Sequence, residues 1–314
     1  MQRPAHCSGW QRGDGFNLLI KPDDPIMEKD APAVLRGAAW GQCSGTAVRS
    51  LHVGSFTVTN RPQDRHQEIN MEYLPDNNSG YQDVDYWDER YKTERCFDWL
   101  GSFSKFQPLL EKHVHVEDSI LILGCGNSSM SGDMYRAGYR SVTNIDYSSV
   151  CIRAMRARHA GCPGMTWHQM DARRLSFPDA SFDVVIEKAT LDAFMVDEKT
   201  PWEPSPPAAA FIHQALTEVR RCLKPGGRFV SVTFASPLLR KRLYARSEYD
   251  WSVRKYGYGD GFEYFVYVMT KGEPLSPEDA ALEKKLLEDA NAPPTTVVTT
   301  LSEDEEDFLF NIDC

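Results

Sequence analysis

The spacing of apolar and polar positions divides this chain into three regions. Over residues 1–70 no period of two or of 3.6 is sustained, and Gly, Pro, Ser, Arg and Asp are frequent, so a disordered N-terminal extension is expected there. Met71 opens a different texture. Ile120–Leu123 is a short apolar run ending in glycine, as a buried strand would be. Ser141–Ile145 is a second run, Met165–Met170 a weaker third, Phe182–Ile186 a fourth and Arg228–Phe234 a fifth. Between the last two, Ile212, Ala215, Leu216, Val219 and Leu223 fall at helical spacing, and the breaker Lys224-Pro-Gly-Gly227 follows. Strands alternating with helices predict an α/β domain with parallel pairing and right-handed crossovers over residues 71–275. Phe262–Met269, aromatic and β-branched, is expected to return antiparallel to the sheet.

Charge adds a boundary. The formal net charge is −10, but residues 276–314 hold 11 acids against two lysines, so the acidity belongs to the end of the chain. That region is expected to be an acidic, largely disordered tail, in which Ser302–Asp307 followed by Phe308-Leu-Phe310 is either solvated or a short docking segment. The rest carries no strongly basic stretch, so a nucleic-acid partner is not expected. No run of 18 apolar residues and no secretory leader is present, so neither a membrane partner nor export is expected. Eight cysteines without C-x-x-C pairs suit a reducing, cytoplasmic setting and predict no metal site. His113 and His115 lack the H-E-x-x-H spacing of a zinc peptidase.

The chemistry begins where the first strand ends. Gly124-Cys-Gly126 allows a tight turn and the close approach of a ligand to backbone. Asp146 ends the next strand 22 positions after Gly124, where a carboxylate can accept both hydroxyls of a ribose. A dinucleotide loop would carry a third glycine where this chain has Ser129, and no phosphate-cradling lysine follows. S-adenosylmethionine has no phosphate and suits both absences, and the mismatch at Ser129 disfavours a nicotinamide oxidoreductase. Asp171, after the third strand, is placed to accept from an adenine amino group, with the Ala172 amide beside it; a loop-capping role is the plainer alternative. Trp87 and Tyr91 share one helix face, either as packing or as a lid over the cofactor. Glu187 and Lys188 end the fourth strand, where ligands of open α/β sheets sit, next to where a transferred methyl would lie, so Glu187 is a catalytic candidate; a surface ion pair is the plainer reading.

Tyr81, Tyr86-Trp87, Arg90-Tyr91, Leu123-Gly-Cys-Gly-Asn-Ser128, Asp146-Tyr-Ser-Ser149, Met170-Asp171 and Glu187-Lys-Ala-Thr-Leu-Asp192 together resemble the class I methyltransferases related to methyltransferase-like protein 13, over residues 71–275. The resemblance implies a Rossmann-like fold with a seven-stranded, mostly parallel sheet and helices on both faces. It implies an enzyme that transfers methyl from S-adenosylmethionine to a lysine of translation elongation factor 1-alpha, and a monomer is expected. Cofactor positions carry over to Trp87, Tyr91, Trp99, Gly124, Asp146, Tyr147, Asp171, Ala172 and Lys188. Many relatives read Glu-Lys-Gly-Thr where this chain has Ala189. A small-molecule methyltransferase and a non-catalytic binding module of the same fold stay open, because the cofactor half would look alike in all three.

Overall fold

The computed structural model describes residues 74–196 and 204–291. The expected disordered extension over 1–70 and the acidic segment at 302–310 lie outside these residues. Seven strands form one sheet: β1 (Ile120–Leu123), β2 (Val142–Asp146), β3 (Met165–Gln169), β4 (Phe182–Lys188), β5 (Leu223–Thr233), β6 (Trp251–Tyr258) and β7 (Tyr264–Lys271). Their order across the sheet is β3-β2-β1-β4-β5-β7-β6. The first five are parallel, whereas β7 runs antiparallel to both β5 and β6. The expected antiparallel return is therefore present, and β6 is the strand the hydrophobic pattern misses. Trp251, Ser252 and Val253 are buried, but Arg254 and Lys255 are exposed and β7 is its one partner in the sheet. An edge strand with charged positions loses the apolar run that betrays a central one.

Among the described residues eight α-helices accompany the sheet: α1 (Val84–Thr93), α2 (Phe103–Leu110), α3 (Met130–Arg136), α4 (Ser149–Arg158), α5 (Thr190–Ala193), α6 (Pro206–Cys222), α7 (Pro237–Tyr244) and α8 (Pro277–Asn291). None is long and apolar enough to cross a membrane. The pleat of β1 shows how the two core layers arise. Ile120 and Ile122 face one layer, with Phe106, Met134 and Met155, while Leu121 and Leu123 face the other, with Ile212, Leu216 and Val219 of α6. All four β1 residues are buried, which is why a continuous apolar run marks it.

Residues 277–291, within the region expected to be an acidic, largely disordered tail from 276 onward, form a helix, and residues 292–314 lie outside the described ones. Ser276 accepts from the Asp279 amide at 3.1 Å, proline occupies the first helical position, and Glu278 and Asp279 fill the first turn. That is a helix start. The acids count here as contacts as well as solvating charge: Asp279 pairs with Lys241 of α7 at 2.6 Å, and Glu283 accepts from the Ser247 amide at 2.8 Å.

The strand order turns over between β1 and β4, so the loops leaving their carboxyl ends diverge and open a crevice there. The register sets Leu123 beside Ile145 and Glu187, which brings the loop after β1, the end of β2 and the end of β4 to one edge.

Candidate cofactor and acceptor site

Gly124 and Gly126 take left-handed φ angles of 57° and 50° in the turn from β1 towards α3. A side chain at Gly124 would place Cβ 2.4 Å from Thr190 Oγ1, so α5 can sit over this loop only because the position is glycine. Thr190 Oγ1 in turn donates to the Leu123 carbonyl at 3.0 Å. At Gly126 a Cβ would lie 3.1 Å from the Tyr91 hydroxyl, which places α1 against the loop's other side.

The residues after the glycines explain why the third one is absent. Asn127 donates to the Glu94 carbonyl at 3.0 Å and accepts from the Phe97 amide at 3.1 Å. Ser128 donates to Asp98, and Ser129 bonds the same carboxylate through both its amide and its hydroxyl. The loop is thus fastened to the segment 94–98 that carries the aromatic cluster. Lys188 fastens that segment from the far side, with Nζ donating to the Trp99 carbonyl at 2.7 Å and lying 3.7 Å from Asp98. Burial pulls the Lys188 pKa down, against the pull of Asp98.

The aromatic cluster is built around a cation. Arg90 is buried, grips Glu94 through two nitrogens at 2.8 and 2.9 Å, and lies over the rings of Trp87, Phe97 and Trp99 at 5.1–5.6 Å. Trp87 stacks on Tyr91 with centroids 5.5 Å apart and donates from its indole to the Tyr81 carbonyl at 2.9 Å. The packing reading of this face holds, since Trp87 is buried in the cluster, and the same side chain lines the cavity.

One cavity gathers Trp87, Tyr91, Trp99, Gly124, Asp146, Tyr147 and Lys188, and a second, sharing Gly124, Asp146 and Tyr147, continues to Asp171 and Ala172. All nine cofactor residues expected from the sequence are brought to this pair of cavities. Together the cavities run from an aromatic end at Trp87 and Trp99, past Asp146, to Asp171. Asp146 is buried, with one oxygen accepting from the Gly126 amide and the other from the Ser148 amide, both at 2.9 Å. Each oxygen keeps a lone pair for a ribose hydroxyl. Burial pushes its pKa up to about 6 against those two amide bonds. Asp171 reaches the other end with Arg173 forked across both its oxygens at 2.6–3.1 Å. Burial pushes Asp171 up, but the Arg173 bonds outweigh it and the net shift is downward.

Glu187 departs from the role expected of it. It is fully buried and does not line either cavity. One of its oxygens accepts from the Thr190 and Leu191 amides at 3.0 and 3.2 Å, and the other from the Ser231 hydroxyl. Its carboxylate braces the β4–α5 turn and is not available to an acceptor amine. Burial pushes its pKa up, reinforced by Asp192 nearby. Ala189 between them sits at φ 61°, the left-handed conformation for which a glycine is the ordinary residue.

The roles of four residues escape a reading of the sequence alone. Phe194 and Phe234 line the cavity beyond the glycine loop, from the ends of α5 and β5. Being isolated aromatics, they carry no motif. Cys125 and Cys151, far apart in the chain, bring their thiols and an Asp146 oxygen within 4.8 Å of one another. Burial raises the Cys125 thiol, and its hydrogen bond with Cys125 raises that of Cys151. Both thiols are buried beneath the loop, where they pack as small apolar groups.

This sheet order, with its antiparallel final pair, and a glycine loop answered by Asp146 define a class I S-adenosylmethionine-dependent methyltransferase. Residues 121–231 match the family model described as a methyltransferase domain. The chain is 45% identical over 239 residues to EEF1A lysine methyltransferase 4 of Bos taurus, and equally to that of Mus musculus, covering 75% of this chain and 93% of theirs. It is 32% identical over 221 residues to the human eEF1A lysine and N-terminal methyltransferase, of which that match spans 31%. The chain belongs to the EEF1A lysine methyltransferase 4 family.

Proposed function

We propose that this protein transfers a methyl group from S-adenosylmethionine to a lysine side chain of translation elongation factor 1-alpha, acting in the cytoplasm as a monomer without a nucleic-acid or membrane partner. The observation that carries the reading is the likeness to relatives of that name over 93% of their length, which takes in the acceptor side of the sheet as well as the cofactor loop. Asp146 would take the ribose hydroxyls, and Trp87, Tyr91, Trp99 and Lys188 would enclose the methionine end, with Asp171 and Ala172 at the adenine.

The bound cofactor supplies an electrophilic methyl on a sulfonium. The acceptor must arrive as a neutral amine, whereas a free lysine has a pKa of about 10.4, so its proton leaves to water first. Trp99, Leu100, Phe194 and Phe234 give the end of the cavity beyond the glycine loop an apolar lining, and desolvation there favours the neutral amine. The new N–C bond forms as the C–S bond breaks, the sulfur becoming a neutral thioether, and the product ammonium releases its extra proton to water. Holding amine and methyl in line supplies the larger part of the acceleration.

The test is incubation of the purified protein with methyl-labelled cofactor and recombinant elongation factor 1-alpha, followed by peptide mass spectrometry. Label on a lysine of the factor is expected. Label confined to a soluble metabolite from cell extract would make this a small-molecule enzyme, and cofactor binding without turnover a non-catalytic module.

A further inference from the structure

Asp192 is the carboxylate left over at the acceptor end. It lies within α5, the turn that sits over the glycine loop, it is 3% exposed, and it lines the same cavity as Gly124, Phe194 and Phe234. Its Oδ1 is fully occupied, accepting from the Thr233 hydroxyl at 2.6 Å and from Arg240, itself buried. Its Oδ2 is buried with no hydrogen-bond partner. An unsatisfied buried carboxylate oxygen is costly and calls for an explanation, which a ligand donor would provide.

The other carboxylate of this cavity and its one lysine are already held by the protein. Asp146 is held by two backbone amides on the β2 side, and Lys188 is tied to Trp99 and Asp98. Glu187 is spent on the turn and lies outside the cavity. An amine entering between Trp99, Phe194 and Phe234 thus meets apolar rings and a carboxylate oxygen, Asp192 Oδ2, that has no hydrogen-bond partner. Burial pushes the Asp192 pKa up, against the pull of Arg240, whose bond to Oδ1 fixes the carboxyl's orientation while Thr233 steadies it from β5.

We infer that Asp192 Oδ2 seats the acceptor lysine amine, accepting one of its N–H bonds and so turning the nitrogen lone pair towards the methyl. This rests on the lysine-methyltransferase reading above. Because the contact needs a donor, it also makes the site selective for amines over ethers or thioethers of similar shape.

Asp192→Asn alone would leave the buried Arg240 unpaired, so the informative comparison adds the charge-balanced double variant Asp192→Asn with Arg240→Met. Methyl transfer to elongation factor 1-alpha and binding of S-adenosylhomocysteine are measured for the wild type and both variants. We expect the double variant to bind S-adenosylhomocysteine within about twofold of wild type while kcat falls about 100-fold, the size of effect that misplacing a reacting group produces. Recovery of kcat to near wild type in the double variant would overturn the inference, leaving Asp192 as a structural partner of Arg240. Loss of S-adenosylhomocysteine binding by the double variant would also overturn it, by placing Asp192 in the cofactor half. Absence of lysine transfer by the wild type is a different result and removes the functional reading itself.

Discussion

Ser129 gives both its amide and its hydroxyl to Asp98, at 3.1 and 2.7 Å, so the residue that breaks the dinucleotide pattern is the one that ties the glycine loop to the aromatic segment. Glycine at 129 would lose the hydroxyl bond. Asp98 carries the load, since Ser128 and Lys188 converge on it as well. Asp98→Ala is expected to lower stability by about 3 kcal/mol, from at least two bonds to a charged group at about 1.5–3 kcal/mol each, less some relaxation. Cofactor affinity should fall with it, because the Trp99 segment is released. Chemical denaturation and calorimetry with S-adenosylhomocysteine check the two effects; a stable variant with intact affinity would contradict the fastening role.

With Asp146 at the ribose, as proposed, cofactor binding is expected to be sensitive to pH. Its pKa is pushed up to about 6, and ribose hydroxyls donate to the ionised form. Binding therefore favours ionisation and weakens as pH falls through about 6. At pH 5 roughly a tenth of the apo protein is ionised there, so affinity is expected to be about tenfold below that at pH 7.5. The stability sign is opposite: a carboxyl whose folded pKa lies above its unfolded value favours the folded state at low pH, and that contribution is lost as pH rises through about 6. Calorimetric titrations across pH 5.0–7.5 test the first, and Asp146→Ala should abolish binding while the fold persists.

Ala189 offers a stabilising change. Its left-handed φ of 61° costs a residue with a Cβ about 1–2 kcal/mol, partly offset by the extra freedom glycine would bring to the unfolded chain. Ala189→Gly is expected to raise stability by about 0.5–1 kcal/mol, read from the urea midpoint. A lower midpoint would show that the Glu187 brace, and not the backbone preference, dominates this turn.

How much of this could be read from the chain follows from what each feature depends on. β1 was readable to the residue because a central strand buries both faces and so writes an unbroken apolar run. The glycine loop and Asp146 were readable because tight turns and ribose recognition admit few residue types. Glu187 misled because a carboxylate at a strand's end looks the same whether it faces the cavity or the turn; only the amides of Thr190 and Leu191 decide. Asp98 and Phe234 are long-range contributors, and no local period records which loop a side chain will meet. In α8 the start signal Ser276-Pro-Glu-Asp279 was present, but the acidity of the whole region outweighed it.

That helix gives the remaining prediction. Lys241 and Asp279 are 2.6 Å apart, with Asp279 nearly inaccessible and Lys241 partly exposed, so their pair is stronger than an exposed one yet short of a fully buried one. Removing the lysine leaves the Asp279 carboxylate with one oxygen newly bare and the other already without a partner. Lys241→Ala is expected to cost about 1–2 kcal/mol, felt locally. Hydrogen exchange should quicken across residues 277–291 and stay unchanged in β1 and β2, since stability within a domain is not uniform and this helix docks at the periphery. Cofactor affinity should not move, because neither residue lines the cavities. Exchange that quickens throughout the sheet would instead make α8 part of the cooperative core.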